Sequence, residues 1–144
     1  MSRVSLILQA GALKSYFPDS EISRYREGEL TWVGTLTPSH ISRGYKVRLV
    51  YARTEGVKFY VLEPKLELAP GAVSLPHVYS NADQRICLFT PLQGEWHEGM
   101  YFVRSIVPWA SEWLSHYEVW AVTGDWNGGG TQPKPDSEKQ DKNT

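Results

Sequence analysis

Hydrophobic residues recur at two different spacings along the chain, and these spacings predict where its helices and strands lie. Between residues 4 and 17 apolar side chains recur every three or four positions, which is typical of an amphipathic helix, and Pro18 ends the pattern. Apolar and polar residues then alternate over residues 30–36 and again over residues 45–51, which predicts two strands. Residues 58–68 predict a third strand.

Turn residues between these segments indicate how the strands are connected. Gly44 precedes the second strand and Gly56 precedes the third, so both connections are short. Pro64 falls inside the third strand, where it indicates an edge position or a bulge because proline has no N–H for the ladder. Consecutive strands with short connections favour an antiparallel meander.

The second half of the chain combines a long irregular segment with a helical one. Residues 72–99 follow neither period for more than a few positions, and such a segment inside a compact domain is usually functional. Apolar residues between positions 103 and 121 hold one helical face, with Pro108 either kinking one helix or starting a second, and with Gly124 as C-terminal cap. This order of elements predicts an α+β domain with helices packed against an antiparallel sheet.

Composition and charge narrow the class of protein. The chain has 144 residues, 41% of them hydrophobic and 22% charged, so we expect one folded domain over residues 1–130. Residues 131–144 contain no hydrophobic side chain, and we expect a disordered polar tail there. A net charge of -1 gives no general attraction for nucleic acid, and no apolar run is long enough to span a membrane, so we expect a cytoplasmic protein.

Cys87 is the only cysteine and the sharpest chemical feature of the sequence. A lone cysteine cannot form an internal disulfide, which fits a reducing compartment. It lies in the irregular segment with His77 upstream, where it is a candidate acyl-carrying nucleophile. The alternative is a thiol that is buried as a small hydrophobic side chain within the apolar run 86–89.

The segments on either side of this cysteine resemble those of ubiquitin-conjugating enzymes. That family has a His-Pro-Asn-Val-Tyr-like segment, a short loop, Ile-Cys-Leu and then a tryptophan. Here residues 75–79 read Leu-Pro-His-Val-Tyr, residues 86–88 read Ile-Cys-Leu, and Trp96 follows. A closer similarity is to the bacterial branch of this fold that CBASS antiphage islands encode beside a cyclic-nucleotide synthase. The segments typical of that branch are residues 75–79, 87–91, 108–114, 117–120 and 123–130.

This resemblance implies a ubiquitin-conjugating (UBC-like) fold with an N-terminal helix, a meander sheet, an active-site cysteine loop and C-terminal helices. It further implies that Cys87 carries a thioester. The residues that would support the active-site loop are Pro76, Tyr79, Trp96 and Asp125.

His77 stands where the family has an asparagine, in a longer loop. Its imidazole N–H could donate to an oxyanion, and the ring could also accept a proton from Cys87 or from an attacking lysine, because the ordinary pKa of histidine is near neutrality. A structural histidine bonded to backbone is the alternative.

The resemblance also implies a reaction and its partners. Cys87 would accept the C-terminal carboxyl of the CBASS cyclic-nucleotide synthase, or of a ubiquitin-like protein, and pass it to a lysine, thereby regulating antiphage signalling. The sequence has no nucleotide-binding glycine loop, so the acyl group must be activated elsewhere. The source would be an activating enzyme or, as short type II operons imply, direct coupling to the synthase. No cofactor is expected.

Two other classes of function fit the same residues. One is a non-catalytic adaptor of the same fold that binds the synthase or a ubiquitin-like protein. The other is a cysteine hydrolase that uses Cys87 with His77 or His97, for which no third, orienting residue is evident.

Other histidines and glycines suggest less specific chemistry. A zinc site is not expected, because His40, His97 and His116 match no standard ligand spacing and only one thiolate is available. The Gly-Gly-Gly run at residues 128–130 is similar to the end of a ubiquitin-like modifier, but we interpret it as a flexible strap near the active-site loop.

Overall fold

The structure, a computed structural model, describes residues 2–26, 28–90 and 94–129 of the chain. Over these residues it has an α+β architecture with a six-stranded antiparallel sheet, one α-helix before it in sequence and one after it. The elements in chain order are helix α1 (Leu6–Tyr16), strands β1 (Glu21–Arg26), β2 (Glu29–Leu36), β3 (Tyr45–Ala52), β4 (Gly56–Glu63), β5 (Val78–Ser80) and β6 (Arg85–Ile86), a 3-10 turn (Phe102–Arg104) and helix α2 (Ile106–Thr123). The predicted α+β class is confirmed.

Helix α1 lies where the sequence predicts it, but it buries a different face. Its buried residues are Leu6, Gln9 and Leu13. Ile7 and Tyr16, which the apolar spacing places on the packed face, are 72% and 61% exposed. That part of the prediction is wrong, because a polar residue takes one of the inner positions.

Gln9 is buried because its amide satisfies two backbone groups from the other end of the chain. Its Nε2 donates to the Met100 carbonyl at 3.0 Å, and its Oε1 accepts from the Phe102 N–H at 2.9 Å. A buried side-chain amide with both ends paired avoids the cost of desolvation. These two bonds attach α1 to the 3-10 turn.

Strands β1 to β4 form the predicted antiparallel meander, and the order across the whole sheet is β1-β2-β3-β4-β6-β5. Strand β1 has no counterpart in the prediction, since it is an edge strand in which polar residues outnumber apolar ones. Strand β4 ends at Glu63, so its predicted extension to residue 68 is wrong. Pro64 has no N–H to donate to a ladder, and Leu66 beyond it is buried in the core without being in a strand.

In the described part of the chain the C-terminal helical face belongs to one α-helix, so of the two alternatives for Pro108 the start of a second helix is not observed, and the C-terminal helices implied by the resemblance are one α-helix here. A short 3-10 turn precedes α2, and Pro108 is the third residue of that helix. The first helical N–H groups have no partner within the helix, which is why proline is tolerated there. The predicted cap is confirmed: Gly124 has φ 81° and its N–H donates to the Trp120 carbonyl at 2.7 Å.

The inner faces of the sheet and of α2 share one hydrophobic core. Trp32, Phe59 and Phe102 are its largest fully buried side chains. The indole N–H of Trp32 donates to the Ser20 hydroxyl at 2.8 Å, so this tryptophan is buried without an unpaired donor.

Gln84 anchors the irregular segment to the sheet just before the cysteine. Its side-chain Nε2 donates to the Val61 carbonyl at 2.8 Å, and its backbone carbonyl accepts from the Val61 N–H at 3.0 Å. Its side-chain Oε1 accepts from the Leu66 N–H. The short strands β5 and β6 therefore extend the sheet beyond β4. The chain that enters Cys87 is held by the sheet.

Candidate active site

Cys87 directly follows β6, and its backbone is hydrogen-bonded to the backbone of His77. The Cys87 N–H donates to the His77 carbonyl at 2.9 Å, and Trp113 Nε1 of α2 donates to the same oxygen at 3.3 Å. His77 has φ 47°, in the left-handed region that favours glycine, which costs roughly 1–3 kcal/mol for another residue. The fold thus brings together the two residues that the sequence predicts as catalytic.

A groove of about 500 Å³ lies beside Cys87. Its walls are the cysteine segment (residues 87–90), helix α2 and, after that helix, Trp126, Gly128 and Gly129. We call residues 125–129 the C-terminal strap. Two imidazoles, three indoles and two carboxylates share it with the thiol: His77, His116, Trp109, Trp113, Trp126, Glu95, Glu112 and Cys87.

The Cys87 thiol is half-buried, and it donates to the Phe89 carbonyl with an S···O distance of 3.6 Å. Burial raises the pKa of the Cys87 thiol, and a hydrogen bond with the Tyr79 side chain opposes that rise. The guanidinium of Arg85 lies over the Tyr79 ring, 4.2 Å from its centroid. Near neutral pH the group is therefore mostly thiol, and attack requires that its proton be removed.

The imidazole of His77 stacks on the indole of Trp126 in the C-terminal strap. The ring centroids are 5.2 Å apart with an angle of 29° between the planes. His116 of α2 meets the same indole edge-on at 5.8 Å, and Trp126 Nε1 donates to the Gly129 carbonyl at 3.1 Å. The strap is folded back against the site by these aromatic contacts.

Two of the supporting residues predicted from the sequence lie at the site. The Tyr79 side chain is hydrogen-bonded to the Cys87 thiol. Pro76 immediately precedes His77 and is partly buried. Both belong to the segment that enters and forms β5.

Trp96 and Asp125 lie outside the groove lining. The Trp96 indole stacks on Phe102, with centroids 5.9 Å apart and planes at 18°, and it contacts Phe89 at 5.9 Å. It lines a second cavity of about 620 Å³, which shares Leu88 and Phe89 with the groove. Asp125 is exposed, and its N–H donates to the Thr123 hydroxyl at 3.1 Å, as expected of a turn residue after a helix.

Comparison with known families identifies this arrangement. The sequence model of one family, described as type II CBASS E2 protein, matches residues 9–133. The chain belongs to this family. Comparison with curated proteins gives no match. The match spans the cysteine loop, α2 and the strap, and it confirms the CBASS resemblance and the UBC-like fold class.

Sequence reasoning about this CBASS E2 protein missed one wall of the groove. The apolar helical face between positions 103 and 121 is expected to pack in the core, and Trp113 is indeed only 5% exposed, yet the indoles of Trp109 and Trp113 both line the groove. Glu112 and His116 lie beside them. Positions 109, 112, 113 and 116 are spaced as one helical face, so two polar residues within an aromatic stripe were the available signal.

For this family member the sequence also predicts that there is no zinc site, no membrane-spanning segment and a disordered polar tail. Across residues 2–26, 28–90 and 94–129, no group of three or more His, Cys, Asp or Glu side chains could hold a metal ion. No helix in the described part of the chain is long and apolar enough to cross a membrane. Gly128 and Gly129 line the groove, whereas Gly130 and the predicted tail at 131–144 fall outside the described residues.

Proposed function

We propose that Cys87 accepts the C-terminal acyl group of a protein partner as a thioester and passes it to a lysine amine. The partner is the CBASS cyclic-nucleotide synthase, with a ubiquitin-like protein as the alternative donor, and the transfer regulates antiphage signalling. The observation that supports this best is the single thiol in a groove, next to His77 through the 2.9 Å bond from the Cys87 N–H to the His77 carbonyl.

The proposed reaction consists of two acyl transfers. In the first, the Cys87 sulfur attacks an activated carboxyl carbon, its proton leaves to a base, and the activating group departs. In the second, a lysine nitrogen attacks the thioester carbonyl, the C–S bond breaks, and the proton that the nitrogen loses returns to the sulfur. The first transfer needs an acyl donor activated beforehand, such as an acyl adenylate made by a separate activating enzyme.

Two side chains assist these transfers in the proposal. His77 carries protons between nitrogen and sulfur, and its N–H donates to the oxyanion of the tetrahedral intermediate, which is worth about 3 kcal/mol in comparable sites. The Tyr79 hydroxyl donates a hydrogen bond to the Cys87 thiolate, in line with its effect on the pKa of Cys87.

Co-expression of the full chain with its synthase and with a source of the activated acyl donor, such as an activating enzyme, followed by intact mass spectrometry without reductant, tests the proposal. We expect an adduct whose mass is the sum of the two chains less one water and which a thiol reductant cleaves. Cys87→Ala should abolish it while leaving the melting temperature unchanged, and Cys87→Ser should give an ester that resists the reductant. Ile41→Ala, at a side chain 98% exposed, is the control that should behave as wild type.

An adduct that persists unchanged in Cys87→Ala would contradict the proposal. The same experiment examines His77: in His77→Ala we expect the adduct to form but to release its acyl group to lysine about 100-fold more slowly.

A non-catalytic adaptor is the second candidate, and the raised pKa of the Cys87 thiol favours it because a buried protonated thiol is a poor nucleophile. An adaptor would form a non-covalent complex with the synthase that survives in Cys87→Ala. Size-exclusion chromatography of both proteins, with no covalent product at any pH from neutral to alkaline, would identify that case.

A further inference from the structure

Trp126 stands between two imidazoles at the edge of the groove. Its indole stacks on the His77 ring at 5.2 Å between centroids, and the edge of His116 approaches the same indole at 5.8 Å. Trp113, whose Nε1 donates to the His77 carbonyl, also packs against Trp126 at 5.6 Å. The side chain and the backbone of His77 are therefore contacted by two neighbouring tryptophans.

The position of the Trp126 indole is itself closely determined. Its Nε1 donates to the carbonyl of Gly129, three residues later in the strap, at 3.1 Å. A Cβ at Gly128 would lie 2.7 Å from the indole and 3.1 Å from the His116 ring, so only glycine allows this approach. The strap therefore holds the Trp126 side chain in one position.

We propose that Trp126 is a positioning residue: it orients the His77 imidazole towards the thioester on Cys87, so that the strap governs release of the acyl group to an amine. This inference rests on the proposed function. Trp126 takes no part in bond making, because it acts through His77.

The step that depends on this orientation is the second acyl transfer. The lysine nitrogen forms a bond to the thioester carbon, His77 takes the proton from that nitrogen, the C–S bond breaks, and His77 returns the proton to the Cys87 sulfur. Misplacing the imidazole by a fraction of an ångström weakens both proton transfers and the donation to the oxyanion. Loading of Cys87 by an activated donor involves no amine proton, because the thiol proton leaves to a base and the activating group departs as the C–S bond forms.

Single-turnover release from purified Cys87 adduct to free lysine, followed across pH, tests the inference. We expect Trp126→Ala to slow release about 100-fold, as His77→Ala does, and to remove the pH dependence that His77 gives. In the His77→Ala background, adding Trp126→Ala should change the rate by no more than about twofold. Trp126→Phe, which keeps an aromatic face for the imidazole, should restore most of the rate.

Two further variants separate positioning from general damage to the fold. Gly128→Ala displaces the indole without removing it and should resemble Trp126→Ala. Asn127→Ala, at an exposed position of the same strap, should release at the wild-type rate. If the effects of Trp126→Ala and His77→Ala multiply in the double variant, the inference is wrong.

An NMR measurement without any partner distinguishes failure of this inference from failure of the proposed function. Stacking on an indole moves the His77 ring-proton resonances upfield, and Trp126→Ala should abolish that shift. Unchanged His77 resonances would overturn the positioning role alone. Absence of any adduct in the wild-type protein would overturn the proposed function, and with it the role in transfer.

Discussion

The thiol of Cys87 is subject to two opposing influences that a sequence does not display. Its burial favours the neutral form and raises the pKa, whereas the Tyr79 side chain stabilises the thiolate by a hydrogen bond. A nucleophile held mainly as a thiol reacts slowly with adventitious electrophiles, and it becomes reactive when a base in the groove removes its proton.

The rate at which iodoacetamide alkylates Cys87 should therefore rise at a higher pH than the rate for a free cysteine does. We expect the midpoint of the rate profile above about 8.5, the ordinary pKa of a cysteine thiol. Tyr79→Phe removes the opposing hydrogen bond and should move the midpoint higher still. Tyr16→Phe, on an exposed face of α1, is the matched control and should leave it unchanged. A lower midpoint in Tyr79→Phe would contradict this account of the site.

At the scale of single elements, strand β2 has room for its largest side chain, that of Trp32, because position 34 is a glycine. A Cβ at Gly34 would lie 2.3 Å from the fully buried Trp32 indole, which cannot move away because its N–H is bonded to Ser20. Around Gly11 in the middle of α1, no atom other than those of its chain neighbours and of its own helical backbone lies within 4 Å of the place where a Cβ would be.

These two glycines provide a matched pair of substitutions. Gly34→Ala should destabilise the protein by about 1–3 kcal/mol through overpacking. Gly11→Ala should stabilise it by about 0.5–1 kcal/mol, because alanine loses less backbone entropy in a helix. Urea unfolding followed by tryptophan fluorescence measures both. Equal effects of the two substitutions would show that the close contact with Trp32 does not constrain β2.

Helix α2 serves two purposes with adjacent parts of its surface. Residues such as Ile106, Ala110 and Leu114 are buried in the core, while Trp109 and Glu112 line the groove. Because the helix is capped at Gly124 and packed along its length, it gives the groove a rigid wall against which the strap can fold.

At the scale of the whole molecule, Gln9 connects the two ends of the fold. Gln9→Leu would leave the Met100 carbonyl and the Phe102 N–H without their side-chain partner in a buried setting. Each unsatisfied group costs roughly 1–3 kcal/mol, so we expect a loss of about 2–5 kcal/mol in the free energy of unfolding. Leu8→Gln, at a side chain 56% exposed on the same helix, is the reverse exchange and should have almost no effect. Comparable losses in both variants would mean that the two Gln9 bonds do not hold α1 in place.

Glu98 makes a second long-range connection, and it predicts an acid-sensitive contribution to stability. Hydrogen bonds from the Tyr51 hydroxyl, at 2.6 Å, and from Arg3 lower the pKa of the Glu98 carboxyl. A carboxyl whose pKa is lowered by folding contributes stability above its ordinary pKa, and this contribution is lost as the pH falls through the folded value. Burial and, to a smaller extent, the same hydrogen bond raise the pKa of Tyr51 to about 12.

Glu98→Gln should accordingly be less stable than wild type near neutral pH, and the difference should shrink below about pH 4. Thermal unfolding at a series of pH values measures this. Glu55→Gln, in a 63% exposed carboxylate that lies 3.9 Å from Lys58, should show no such convergence. A constant difference across the whole range would mean that the charge of Glu98 is not what stabilises the loop.

Several features of this fold follow from local sequence patterns alone. The positions of α1, β2, β3 and α2, the meander connection and the Gly124 cap depend on residue spacing and on backbone preferences, which act over a few neighbouring residues. Cys87 was identifiable for a similar reason, since its type, its singularity and its flanking segments are all present in the sequence.

Other features depend on contacts between distant parts of the chain. The inward position of Gln9 requires the backbone at residues 100 and 102, and the groove requires α2 and the strap to meet the cysteine segment. The pKa of the Cys87 thiol likewise depends on burial, which no local pattern encodes. The sequence by itself therefore determined the order of elements and the nucleophile. Only tertiary packing decided that His77 lies against Trp126, because solvent exclusion and aromatic contact are properties of residues brought together from far apart.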